Sequence, residues 1–289
     1  MEIIKFLHGK NFKKESTMEI GVVNSLNNGG KCFEHVSQFG LNVCQLVSWD
    51  ASQATEEIAA TVVKESRKAK VRVCAMWAGV PGPAKWNFIE GPATLGLVPP
   101  EFRWPRIEAL KKWADFASWI KAPAIITHCG FIPENPSDPN YPGVVVAIRD
   151  VAEYCRKRGV EFWFETGQET PVTVLRTIER AGTGNLGINL DPANLILYGK
   201  GNPVDSLDVF GKYVRNIHVK DGLYPTDGDN LGHEVKVGDG KVRFPEFIRK
   251  LKEIGFKGEL IIEREISGDQ QVKDIRETVD NLEKWLAKA

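Results

Sequence analysis

The chain has 289 residues with 38 acidic and 38 basic side chains, so its formal charge is zero and it has no electrostatic grip on nucleic acid or an anionic membrane surface. No apolar run approaches the roughly 18 residues a membrane-spanning helix needs, and the apolar part of MEIIKFLHGKNFKKEST is too short for a secretory leader. The five cysteines, Cys32, Cys44, Cys74, Cys129 and Cys155, are scattered and form no CxxC pair, the pattern of reduced thiols in a cytoplasmic protein.

Residues 1–17 read as an N-terminal extension, because a regular alternation of short β-branched or aromatic runs with longer amphipathic ones begins only at Met18. EIGVVN (19–24) is the first predicted strand, and a helix over about 30–40 follows it. NVCQLVS (42–48) is the second, and the helix from Thr55 to Lys68 gathers Ile58, Ala59, Val62 and Val63 on one face. VRVCAMW (71–77) is the third. A Gly- and Pro-rich loop from Ala78 to Trp104 carries Trp86, and ordered loops of that length are usually functional.

Pro105 suits the first position of a helix that runs to about Lys121. AIITH (124–128) is the fourth strand; a second Pro-rich loop and a helix over 143–158 lead to the fifth, EFWFE, after which Thr170-Pro171 opens the next helix. LGINLD (186–191) is the sixth strand, followed by a helix near 204–212, and VRNIHVKD (214–221) is the seventh. A loop from roughly Gly222 to Val242, a helix over 245–254, GELIIER (258–264) as the eighth strand and a helix from about 270 to 287 complete the chain. Eight strands alternating with eight helices, with no composition break, predict one domain over 18–289, an α/β fold of the single (β/α)8 TIM barrel type.

Barrels of this kind place chemistry at the C-terminal ends of their strands. Strand five delivers Glu165, strand six Asp191, strand seven His218 and strand eight Glu263. A βα unit is about 30 residues, so the first three follow at single-unit intervals and the last step adds the long loop after strand seven. One such carboxylate is ordinarily a helix cap or an ion-pair partner. Four ligand-type side chains at consecutive strand ends instead predict a mixed oxygen and nitrogen site for a divalent ion such as Mn²⁺, Co²⁺, Mg²⁺ or Zn²⁺.

The motifs FET at Glu165, NLDPANL around Asp191 and Asn194, NIHVKDG around His218, Lys220 and Asp221, VGDGKVRF (237–244) and LIIERE around Glu263 and Arg264 resemble the xylose isomerase-like family of TIM barrels, and the resemblance extends from Met18 to the C-terminus. It implies a sugar or sugar phosphate isomerase or epimerase whose metal, commonly Mn²⁺, is held by Glu165, Asp191, His218 and Glu263. The two glutamates would also move protons, through a metal-stabilised enediolate. It further implies that His128 reaches the substrate, with Asn194, Lys220 and Arg264 as candidate contacts, and that the partner is a small carbohydrate. Family members are often dimers or tetramers, so a homo-oligomer is expected. Trp77 and Trp86 are candidates for an apolar wall against a sugar ring.

Two departures stand out. Free ketose 3-epimerases carry a His three residues after the metal Asp and an Arg six after the metal His, where this chain has Asn194 and Tyr224. Asn194 and the HVKD run are closer to the sugar phosphate epimerase and inosose dehydratase branches, which makes a metal-dependent dehydratase of a keto sugar or keto-inositol the alternative reading. Phosphate binding is left open, because Lys236, Lys241, Gly238 and Gly240 serve equally well as a turn. A nuclease of the endonuclease IV type would need extra histidines and a basic groove, and this neutral chain has only His8, His35, His128, His218 and His233.

Overall fold

The computed structural model describes residues 18–289, and the expected extension over residues 1–17 lies outside the described residues. In chain order the strands are β1 (Glu19–Ser25), β2 (Val43–Ser48), β3 (Arg72–Ala78), β4 (Ala124–His128), β5 (Glu161–Glu165), β6 (Leu186–Leu190), β7 (Val214–Val219), β8 (Asp221–Leu223), β9 (His233–Val235) and β10 (Glu259–Ile262). Eight of them close a parallel barrel in the order β1-β10-β7-β6-β5-β4-β3-β2, while β8 and β9 pair as a separate antiparallel hairpin. The helices are α1 (Glu34–Ser37), α2 (Glu56–Ala69), α3 (Gly91–Thr94), α4 (Pro100–Ile120), α5 (Tyr141–Lys157), α6 (Pro171–Ala181), α7 (Pro192–Leu197), α8 (Pro203–Phe210), α9 (Phe244–Glu253) and α10 (Asp269–Lys288). Among the described residues, no helix is long and apolar enough to cross a membrane.

The alternation of side chains along a strand decides what enters the barrel. On β5, Phe162 and Phe164 join the large core beneath the helices, whereas Trp163 packs inside the barrel with Val43, Ala75, Trp77, Ala124, Ile126 and Ile261. The Trp163 indole lies so close to β6 that a Cβ on Gly187 would stand 2.5 Å from it. Positions two residues beyond an inward side chain face inward again. Glu165 follows Trp163, Glu263 follows Ile261, and His218 and Lys220 follow Asn216. Register steps them around the barrel: Glu165 pairs with His128 and Asn189, Asn189 with Asn216, two residues before His218, and His218 with Ile261, two residues before Glu263.

Several predicted boundaries change. The helix expected at Pro105 begins at Pro100, and Pro105 sits inside it. The proline's missing N–H leaves the Glu101 carbonyl without its intrahelical donor, which is tolerated because that face is solvent-exposed. The preceding loop is correspondingly shorter and contains α3. The NLDPANL motif opens an additional helix, α7, because the Asp191 side chain accepts from the Asn194 backbone N–H and Pro192 takes the first helical position. Only Glu34–Ser37 is α-helical in the predicted 30–40 helix, and β10 ends at Ile262, one residue before Glu263.

The stretch read as a loop after strand seven is organised by Asp221. Its carboxylate accepts from the backbone N–H groups of Gly222 (2.9 Å), Gly238 (3.0 Å), Gly240 (3.2 Å) and Val242 (3.1 Å). This explains VGDGKVRF: a Cβ on Gly240 would lie 2.1 Å from Asp221 Oδ1. Asp221 is therefore committed to backbone, while Lys220 points toward carboxylates inside the barrel. Asp221→Ala strands these donors and should lower the unfolding free energy by about 3 kcal/mol, measured by urea denaturation; a loss under about 1 kcal/mol would contradict that role.

Candidate metal centre

Glu165, Asp191, His218 and Glu263 each offer one ligand atom, and these atoms all lie within 4.8 Å of one another. His218 Nδ1 stands 2.8 Å from Glu165 Oε1, 3.2 Å from Glu263 Oε2 and 3.7 Å from Asp191 Oδ2. Despite these approaches, His218 Nδ1, Asp191 Oδ2 and Glu263 Oε2 are buried without a hydrogen-bond partner. Ligands on opposite sides of an ion with bonds of ~2.1 Å stand about 4.2 Å apart, so the cluster fits a small divalent cation after slight contraction. Asp191 keeps both roles weighed for it, since Oδ1 caps α7 at 2.9 Å from the Asn194 nitrogen and Oδ2 faces the cluster.

The charges agree with this fit. Lys220 is buried, with Nζ 3.2 Å from Glu263 Oε2 and 3.6 Å from Asp191 Oδ2. Burial disfavours its charged form, but Glu263 and Asp191 outweigh that and hold its pKa well above the ordinary lysine value. Burial likewise opposes charge on His218, and Glu165 and Glu263 push it well upward instead. Burial raises Glu165 to about 7 against the pull of His218, whereas Glu263 is lowered because Lys220 and His218 overcome its burial. A metal on Nδ1 needs His218 neutral, so the divalent charge would take the place of the imidazolium proton that Glu165 and Glu263 favour.

A buried polar chain beneath the cluster orients it. Trp77 Nε1 and Asn189 Nδ2 donate to Glu165 Oε2 at 3.0 and 2.9 Å, leaving Oε1 for the centre. Asn216 Nδ2 donates to Asn189 Oδ1 (2.6 Å) and Gln45 Oε1 (3.0 Å), and Gln45 presents both its Nε2 (2.8 Å) and its Oε1 (3.1 Å) to His218 Nε2. A proton on Nε2 directed at Gln45 leaves the Nδ1 lone pair facing the carboxylates, the tautomer a metal ligand needs.

A cavity of about 410 Å³ opens above the cluster and is lined by Glu165 and Glu263 together with Trp77, Trp86, His128, Asn194 and Lys220. His128 packs 5.0 Å from the Trp86 ring and 6.2 Å from Trp77, and its Nδ1 has no partner. Burial and then Lys220 lower its pKa to about 3, so it is a neutral imidazole in the cavity wall. Arg264, expected at the substrate, does not line this cavity. Its guanidinium is taken up by Asp274 (2.8 Å) and Glu234 (3.0 Å), which turn it toward α10 and β9.

Gln45, Asn189 and Asn216 were missed by sequence reasoning, although a polar residue at an inward position of an apolar strand was a readable signal. Gln168 and Glu169 are buried with no partner for either side chain's polar atoms. Burial pushes Glu169 to about 8 from an ordinary 4.5. Between those values the folded chain keeps a proton that the unfolded chain loses, so this group's contribution to stability is full below pH 4.5 and falls as pH rises toward 8. Glu169→Gln should therefore raise the melting temperature more at pH 8 than at pH 5; an equal change at both would contradict the assignment. Gln45→Leu, which frees the His218 tautomer, should weaken Mn²⁺ binding by about 10- to 100-fold in isothermal titration calorimetry while the fold is retained by circular dichroism.

Comparison with known proteins agrees with this architecture. The family model described as xylose isomerase-like TIM barrel matches residues 33–288. A xylose isomerase domain protein from Planctomyces limnophilus is 36% identical, with a TM-score of 0.88 over 94% of this chain and 98% of that one. A D-tagatose 3-epimerase-like protein is 20% identical with a TM-score of 0.70, over 94% of this chain and 99% of its own, a likeness of fold. An uncharacterized protein of Methanocaldococcus jannaschii is 26% identical over 195 residues, 61% of this chain; the chain spans 60% of that relative's length. From its eight-stranded barrel to the motifs carried on its strand ends, the chain belongs to the xylose isomerase-like TIM barrel family.

Proposed function

We propose that the chain is a divalent-metal-dependent isomerase or epimerase of a keto sugar, with Glu165, Asp191, His218 and Glu263 as ligands and Mn²⁺ the preferred ion. The observation that carries this reading is the set of three buried ligand atoms that make no hydrogen bond, two of them facing Lys220, gathered with Glu165 Oε1 within 4.8 Å of one another. A divalent ion held there would supply positive charge beside a substrate carbonyl and its neighbouring hydroxyl, where negative charge develops as the carbon between them loses its proton.

The chain's own groups would then handle the protons. Glu263 retains 19% exposure toward the cavity and is kept ionised by Lys220, so it is suited to take the proton from the carbon between the two oxygens. Glu165, on β5 and separated from β10 by β6 and β7, is fixed by Trp77 and Asn189 and can return a proton from a second direction. Asp191 and His218 chiefly hold the ion. His128 and Asn194 face the cavity and would orient substrate hydroxyls, while Trp77 and Trp86 exclude water.

Dehydration of a keto sugar or keto-inositol begins with the same proton abstraction and adds a proton donor for the leaving hydroxyl, a task Lys220 at the cavity wall is placed to perform. Incubating Mn²⁺-loaded protein with free, phosphorylated and 3-keto sugars in deuterium oxide, then removing the metal and recording NMR spectra, separates the two. Deuterium uptake without loss of mass is expected; loss of water would select the dehydratase, and no uptake would sink both. Glu263→Gln and Glu165→Gln should each reduce this exchange by at least about 100-fold while Mn²⁺ still binds calorimetrically; full activity in either would overturn the proton-transfer pair.

A further inference from the structure

Trp49 is the most conspicuous side chain that the proposed reaction leaves unused. It follows β2 and is 61% exposed, yet its ring lies 4.4 Å from Trp77 and 6.1 Å from Trp86, measured between centroids. With His128 these rings form a box that lines both the metal-bearing cavity and a second chamber of about 230 Å³. The four candidate metal ligands do not line that second chamber. Its walls come instead from the loop between β3 and α4, including Ala84, Thr94 and Leu95.

The cations bordering the two chambers are already engaged. Lys220 is held by Asp191, Glu263 and Glu265. Arg106, 1% exposed, gives four hydrogen bonds to main-chain carbonyls, those of Pro81 (3.0 Å), Pro83 (2.8 Å), Thr94 (2.7 Å) and Gly96 (2.6 Å). Those bonds hold the loop that presents Trp86 and occupy four of the guanidinium's five N–H groups. His128 is neutral. A phosphate placed beyond the box would have to displace loop carbonyls from Arg106 to gain a full set of charged hydrogen bonds in return for its lost hydration. An uncharged ring, in contrast, can lay its apolar C–H face on the indoles and keep its hydroxyls at the open mouth.

We infer that the box of Trp49, Trp77, Trp86 and His128 is a subsite for a second, uncharged sugar ring, and that the substrate is a keto glycoside or keto disaccharide, neither a free ketose nor a sugar phosphate. This rests on the reading above for the placement of the reacting sugar at the ligand cluster. Trp49 and Trp86 act here as specificity residues; they contact the ring that does not react.

The test uses the full-length protein loaded with Mg²⁺, which is diamagnetic, and ligand-observed saturation-transfer NMR. The probes are D-fructose, D-fructose 6-phosphate, maltulose and isomaltulose. At least one of the two keto disaccharides should bind at least tenfold more tightly than D-fructose, with no gain for the phosphate. Trp49→Ala and Trp86→Ala should each bring the favoured disaccharide to within about twofold of D-fructose. Preferential binding of the phosphate, equal binding of all four probes, or a disaccharide preference untouched by both variants would overturn the inference. Parallel proton exchange in deuterium oxide keeps the two claims apart. A disaccharide preference without exchange retains the subsite and removes the isomerase reading; exchange of D-fructose without that preference does the reverse.

Discussion

Three carboxylates brought within a few ångströms of one another inside a protein repel strongly, and the structure surrounding them is organised by the need to neutralise that charge. Glu165 and Asp191 are almost wholly buried and Glu263 is largely so. In a medium of low effective dielectric such a group persists only with matched positive charge and oriented hydrogen bonds. Lys220 meets part of the requirement, and the divalent ion we propose, seated on His218 Nδ1 and one oxygen of each carboxylate, would meet the rest. The hydrogen-bonded chain from Gln45 through Asn216 and Asn189 to Glu165 fixes which atoms face the centre. A layer of side chains inside the barrel is thus given over to polar groups in place of apolar packing.

The same inward parity links the metal cluster to the aromatic side of the cavity. Trp77 is the joint: its ring belongs to the tryptophan box while its indole nitrogen holds Glu165. Arg106 joins that side to the scaffold, because a guanidinium buried in α4 gathers four carbonyls of the loop that carries Trp86. Chemistry and specificity consequently sit on different supports. The candidate ligands come from strand ends with rigid backbones, and the proposed ring-binding surface comes largely from loops that are freer to vary between relatives.

Much of this was legible in the residues because the barrel repeats a simple instruction. A strand that is apolar for several positions and then delivers Glu165, Asp191, His218 or Glu263 announces both its direction and the end that carries the chemistry. The elements that escaped notice are those whose cause is tertiary. α7 exists because Asp191 caps it, β8 and β9 are too short to show a period, and Pro105 is tolerated within α4 because water can reach the carbonyl it leaves free. Arg264 is drawn off the cavity lining for a related reason: Glu234 on β9 and Asp274 on α10 reach it only once the chain is folded. Gln45, Asn189 and Asn216 looked like isolated polar residues until the barrel register brought them into contact.

The central claim is that one divalent ion is held by the four strand-end side chains. Anomalous diffraction at the manganese absorption edge, from crystals grown with MnCl₂, tests it most directly. The account predicts a strong peak in each chain, within bonding distance of Glu165, Asp191, His218 Nδ1 and Glu263. A map with no peak there, or with manganese only at exposed acidic groups on the surface, would contradict it.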